Sequence, residues 1–136
     1  MRVYLAAAWS RQAEVRLYAN VLRAEGIEVT SRWLEEREAI DPRDRERHRR
    51  ETALIDIQDV RAADALVRFT DDLSQPTVPS GLATGARMFE MGLAWAEGIP
   101  VVVVGGRQQV FDFLPNVVHL KDFTELVNFL SPREPE

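Results

Sequence analysis

Apolar runs of strand length alternate with longer stretches of helical period along the whole chain, which is the pattern of a parallel sheet covered on both faces. The short runs fall at residues 3–7, 27–30, 65–70, 100–104 and 117–120. Between them, a helix from about Ser10 carries Ala13, Leu17, Val21 and Ala24 at helical spacing, with Gly26 placed to end it. A second helix from about Arg45 to Ala63 is expected to bury Ala53, Leu54, Ile57 and Val60. A third starts at Thr84 or Gly85 and stops at Gly98, and the last covers residues 122–130. Residues 71–83, with Pro76, Pro79 and Gly81, read as loop, residues 108–114 as a short helical piece, and residues 131–136 as a polar tail.

Five βα units in this order define a single-domain α/β protein: a five-stranded parallel sheet flanked by helices, flavodoxin-like or Rossmann-like, with strand order 2-1-3-4-5. At 136 residues the chain has room for one domain, here residues 1–130. With no cysteine, disulfides, thiolate zinc sites and a cysteine nucleophile are excluded. His48 and His119 are the only imidazoles, so no metal and no cofactor are expected. Seventeen Lys and Arg against 22 Asp and Glu give a net charge of −5, which argues against gripping a nucleic acid polymer or an anionic membrane and in favour of a small-molecule partner. The apolar run at residues 3–9 is far too short to span a bilayer and lacks a cleavage region, so the expected compartment is the cytoplasm.

Residues 35–51 hold seven acids and six arginines. A basic clamp of Arg43, Arg45, Arg47, Arg49 and Arg50 is one reading; the signs are so mixed that a solvated loop leading into a salt-bridged helix is the better one.

In an open parallel sheet, ligands bind beyond the carboxyl ends of the strands. Three groups of residues fall there. Tyr4 is followed by the small residues Ala6, Ala7 and Ala8, then Trp9 and Ser10, where a ligand could approach a helix N-terminus; the same small residues also suit strand–helix packing. Asp59 shares a helix turn with Asp56 and Gln58 and could equally be a solvated acid. Glu90 is the anomaly, a carboxylate among Met88, Phe89, Met91, Leu93, Ala94 and Trp95. It must be paired, with Arg87 the partner at hand, or desolvated with a raised pKa, or engaged in chemistry.

Taken together, these residues resemble the nucleoside 2-deoxyribosyltransferase family and its hydrolytic relatives, the 2′-deoxynucleoside 5′-phosphate N-hydrolases. The resemblance runs through residues 3–9, through Ile57-Gln58-Asp59-Val60 with Ala63-Asp64-Ala65-Leu66-Val67, through Gly85 to Gly92 with Gly98-Ile99-Pro100, and through Asn116-Val117-Val118. It implies that Glu90 is the nucleophile that attacks the anomeric carbon, that Asp59 donates a proton to the departing base, and that the Tyr4 hydroxyl holds Glu90 in line. It further implies a substrate pocket drawing on Ala6, Trp9, Ser10, Asp71, Ser80, Thr84, Gly85, Arg87 and Asn116, the last reaching toward a neighbouring subunit of a homo-oligomer, a dimer or an assembly of dimers. Thr84 stands where the transferases carry an Asp and the hydrolases a Ser, which leans toward the hydrolase pattern and a 5′-phosphate at residues 80–85. The transferases' C-terminal aromatic carboxylate is missing, and Ala8-Trp9-Ser10-Arg11 replaces the hydrolases' glycine-rich loop.

The implied activity is cleavage of the N-glycosidic bond of a 2′-deoxynucleoside or its 5′-monophosphate, the sugar passing to another base or to water. A non-catalytic nucleotide-binding module on the same fold is the alternative, disfavoured because binding alone needs no buried nucleophile. His119 reads as a packed or edge residue, Trp33 as structural or at a subunit contact, and Trp9 and Trp95 as either base-stacking or packing residues. The face bearing Met88, Met91 and Trp95 is either core or a dimer surface.

Overall fold

In a computed structural model that describes residues 1–37, 41–71 and 84–131, the chain forms five strands and four helices. The order is β1 (Arg2–Ala6), α1 (Gln12–Ala24), β2 (Glu28–Val29), α2 (Arg45–Arg61), β3 (Ala65–Phe69), α3 (Thr84–Ala96), β4 (Val101–Val104), β5 (Val117–Leu120) and α4 (Phe123–Leu130). Short 3-10 turns at Trp9–Arg11, Arg32–Glu35 and Val110–Phe113 complete it. All strand pairings are parallel and the order is 2-1-3-4-5, so the expected topology stands.

The strands are short, and the central β3 and the four valines of β4 are buried on both faces. β-Branched side chains suit such a doubly covered sheet. Register places Tyr4 beside Leu66 and Ala6 beside Arg68, and then Leu66 beside Val101 and Arg68 beside Val103. These residues therefore share one face, the one covered by α2 and α3. On the other face Tyr18 of α1 stacks on Phe123 at 4.2 Å and tilts against Phe69 at 5.3 Å, which fastens α1 and α4 to the sheet.

Two helix faces differ from expectation. In α1 the buried residues are Val15, Ala19 and Leu22, whereas Leu17 and Val21 are 66% and 45% exposed. The helix carries two apolar stripes, and the one containing Tyr18 faces inward because that ring has aromatic partners there. In α2, Ala53 and Leu54 lie exposed, Ile57 is half-buried, and Asp59 and Val60 are the buried pair. A polar residue has taken a core-facing position, for a reason the site supplies.

The charged segment is solvated, as its mixed signs suggest: Asp41 pairs with Arg43, Asp44 with Arg47 and Glu46 with Arg50, all at the surface. The 3-10 turn at Arg32–Glu35 was not foreseen; it buries Trp33 and Leu34, and the Trp33 indole donates to the Leu5 carbonyl at 2.7 Å. Glycine is required at Gly105, where φ is +111° and a Cβ would meet the Thr70 hydroxyl at 2.2 Å. Among the described residues no helix is long and apolar enough to cross a membrane.

Candidate active site

The site forms where α2 and α3 pass over β1. Tyr4, in the middle of β1, is fully buried and points toward α3 because strand alternation leaves Val3 and Leu5 for the opposite face. Its hydroxyl donates to Oε2 of Glu90, in the second turn of α3. Burial, with the nearby carboxylates of Glu90 and Asp56, drives the Tyr4 hydroxyl far above the ordinary phenol range, so it stays a donor at any physiological pH.

Glu90 is pushed up from 4.5 to about 8. Desolvation is the largest cause; the Tyr4 hydrogen bond opposes it, Asp56 adds to it, and Arg87 opposes it. This is the desolvated carboxylate that the apolar surroundings implied.

α2 contributes two acids one turn apart, and they are treated differently. Asp59 is 5% exposed and fully engaged by Arg32, whose backbone amide donates to Oδ2 at 3.0 Å and whose Nε donates to Oδ1 at 2.9 Å. The Arg32 Nη2 lies 2.8 Å from the same Oδ1. The Asp59 carbonyl also accepts from the Thr30 hydroxyl. Asp59 thus pins α2 to the segment after β2, which explains why a carboxylate holds a buried position on that helix.

Asp56 has no such anchor. Its Oδ1 is buried without a hydrogen-bond partner among the described residues. Desolvation first, then the charges of Glu36 and Asp59, raise it from 3.8 to about 7, against a smaller lowering by Arg32. Two carboxyls are thus raised toward neutrality, Asp56 to about 7 and Glu90 to about 8, a perturbation of the kind that clusters at functional sites. In the sequence Asp56 stands out only as a neighbour of Asp59 on one helix turn, and only packing tells which of the two is tied off.

The remaining residues distribute as follows. Trp9 and Ser10 are exposed just beyond β1, Trp9 resting 6.2 Å from the Trp33 ring, and Ala6 is buried beside Arg68. Arg87, 5% exposed, donates to both carboxylate oxygens of Asp71 at 2.7 and 3.2 Å. Gly85 lies exposed in the first turn of α3, with open space where a side chain would stand. Asn116 accepts from the Trp95 indole at 3.2 Å. Ser80 and most of the expected loop at residues 71–83 lie outside the described residues, as do residues 132–136 of the tail, and Thr84 is described only as the start of α3. His119 takes its expected structural place, its Nε2 against the Gly105 carbonyl. Among the described residues no cluster of His, Asp and Glu could hold a metal ion.

A second buried cluster lies on the same face, unforeseen from sequence. Arg68 of β3 donates to Oδ1 and Oδ2 of Asp112 at 2.6 and 2.9 Å, its Nη1 also touching the sulfurs of Met88 and Met91. The Gln108 and Gln109 amides complete the shell around Asp112.

The chain is thus a doubly wound α/β domain that holds a tyrosine–glutamate pair and a second raised carboxyl on one face of its sheet. The model of the family described as nucleoside 2-deoxyribosyltransferase matches residues 3–129, and the chain belongs to that family of enzymes. The solved structure of a 2-deoxyribosyltransferase from Bacillus psychrosaccharolyticus is similar over the whole chain and 99% of its own, at a TM-score of 0.66 and 18% identity. A CMP N-glycosidase from Clostridium botulinum is similar over 97% of this chain and all of its own, at 0.60 and 18%. No curated protein is significantly similar in sequence.

Proposed function

We propose that the protein cleaves the N-glycosidic bond of a 2′-deoxynucleoside or its 5′-monophosphate through a covalent intermediate on Glu90. The observation that carries this reading is the contact of the buried Tyr4 hydroxyl with a carboxylate in the apolar second turn of α3. A Glu90 oxygen attacks C1′ as the C1′–N bond breaks, its electron pair leaving with the base. The developing oxocarbenium charge is attracted to a carboxylate that few water molecules screen. Tyr4 orients the carboxylate by holding one oxygen and leaving the other to attack.

The departing base takes its proton from Asp56, whose buried, unpartnered Oδ1 suits a proton donor. Asp59 serves this role indirectly, by fixing α2 through Arg32. Water or a second base then attacks C1′, the bond to Glu90 breaks, and the attacking group's proton returns to Asp56. The substrate lies beyond the end of β1, by Ala6, Trp9, Ser10 and Gly85, with exposed Trp9 offering a face to the base. The enzyme acts in the cytoplasm as a homo-oligomer. Exposure of Phe89, Trp95, Phe111 and Phe113 supports a second copy covering this side of α3 and the β4–β5 segment.

The test is chromatographic detection of free base after incubation with each 2′-deoxynucleoside and 5′-monophosphate, with and without a second base, beside Glu90→Ala. Base release that the variant abolishes is expected, and exchange with the second base separates transferase from hydrolase. No release from any substrate would move the non-catalytic binding module ahead. Light scattering checks the assembly, a monomer at working concentration being the contrary result.

A further inference from the structure

The cleavage reading gives no task to the ion pair of buried Arg87 with half-buried Asp71. Arg87 sits three residues before Glu90 in α3, so the two side chains lie on neighbouring positions of one helix face. Asp71, just past β3, is held at its backbone as well as its carboxylate: its amide donates to Gln108 Oε1 at 3.3 Å and its carbonyl accepts from Gln108 Nε2. Gln108 is fixed in turn by its amide to Asp112 Oδ2 at 2.8 Å, and Asp112 by Arg68. An unbroken series of contacts thus runs from β3 through the β4–β5 segment to Arg87, one turn of α3 before Glu90.

We propose that Arg87 and Asp71 are positioning residues for Glu90, a fixed pair of opposite charges in which Arg87 favours the ionised carboxylate and Asp71 limits that effect. The inference rests on the cleavage reading only for its catalytic consequence. Among the described residues, the other groups that act on Glu90 are Tyr4 from β1 as hydrogen-bond donor and Asp56 from α2; of the charges further off, Asp59 of α2 is paired with Arg32 from the segment after β2, and Arg68 of β3, against Met88 and Met91 of α3, with Asp112. Among the groups that act on Glu90, Arg87 is the cation, opposing the rise that burial imposes. A cation with no counterion would bind anions and attract Glu90 directly; bidentate contact with Asp71 holds it at a set place and strength.

The test reads the charge on Glu90 itself, by carbon NMR of glutamate labelled at the carboxyl carbon, the Glu90 signal being the one lost in Glu90→Gln. Arg87→Met should raise its titration midpoint by about half a pH unit, and Arg87→Lys should bring it back. Asp71→Asn keeps an acceptor for Arg87 while losing the charge, so it should lower the midpoint. Shifts in opposite directions support the proposal, whereas a loss of packing would move both variants the same way. An unmoved midpoint in Arg87→Met, or an upward one in Asp71→Asn, overturns it. Should Arg87→Met fail to fold, Asp71→Asn, at a half-buried position, decides alone. The titration needs no turnover, so failure of the cleavage reading and failure of this one are told apart. If cleavage holds, the acid limb of base release must follow the same shifts.

Discussion

Two buried charge clusters share one face of the sheet and are built on opposite plans. Around Asp112, the desolvation that would raise its pKa is outweighed by the Arg68 guanidinium and two backbone amides, which hold the carboxylate below its ordinary range. Around Glu90, one phenol donor does not offset burial and Asp56 adds charge of the same sign, which pushes Glu90 up to about 8, while Asp56 is itself raised to about 7 by burial, then Glu36 and Asp59. Burial alone therefore does not mark a reactive carboxylate. What marks it is how much of the desolvation cost its partners return, and at Glu90 much of it is left for a cationic transition state to recover.

Substitution at Glu90 should separate the clusters most sharply. Glu90→Gln keeps the shape and removes the proposed nucleophile, so base release should fall at least about 10³-fold, about 4 kcal/mol of transition-state stabilisation. Single-turnover chromatography checks this. Asp56→Asn should lose less on substrates whose leaving group needs no proton than on ordinary bases, and Asp59→Asn should show no such dependence. A reversed pattern would return the proton donor's role to Asp59.

At the compensated cluster the loss should appear in stability. Arg68→Met strands Asp112 with its charge buried, a change costing about 3–5 kcal/mol in denaturant unfolding. Removing both charges with Arg68→Met and Asp112→Leu should cost clearly less than the single change. Were the single variant to unfold like the wild type, the contrast between the two clusters would fail.

Most of the architecture was legible because it rests on periodicity: β5 has the expected bounds, and the other strands differ by one residue at one or both ends. The α1 face was misjudged because Ala13-Leu17-Val21-Ala24 and Val15-Tyr18-Ala19-Leu22 are both good stripes, and only the aromatic partners Phe69 and Phe123, far away in sequence, choose between them. Glu90 stood out because a charge in an apolar helix conflicts with its surroundings. Asp56 did not, since its isolation depends on Arg32 crossing from another segment to claim Asp59. Arg68 and Asp112 are separated by 44 residues, and neither is unusual until β3 and the Val110–Phe113 turn meet.

The raised acids should also weaken the fold as pH rises. Between 4.5 and about 8 the folded chain holds a proton on Glu90 that the unfolded chain has released. Stability from this group is therefore complete below the lower value and lost as pH climbs through the upper one. Glu90→Gln should be the more stable protein at pH 9 by about 2 kcal/mol, or about 4 °C in Tm for each kcal/mol, and should differ little at pH 4.5. Thermal unfolding at the two pH values checks the difference. Asp112 acts in the other direction, contributing stability above its ordinary value of 3.8 that is lost as pH falls through its lower folded value.

Activity requires a compromise that stability does not. On the proposed mechanism Glu90 must be ionised to attack, which favours pH above about 8, and Asp56 must be protonated to donate, which favours pH below about 7. The profile of kcat/KM should thus be a bell with its maximum between those values, falling about tenfold per pH unit on either side, or about 1.4 kcal/mol. Because the order of the two values leaves only a minority of molecules in the active protonation state, bound substrate that excludes water from Asp56 more than from Glu90 would enlarge that fraction. Asp56→Asn should then remove the alkaline limb while keeping the acid one, whereas Arg68→Met, acting through the compensated cluster, should leave both limbs in place. If Asp56→Asn instead removes the acid limb, the two carboxylates have exchanged roles.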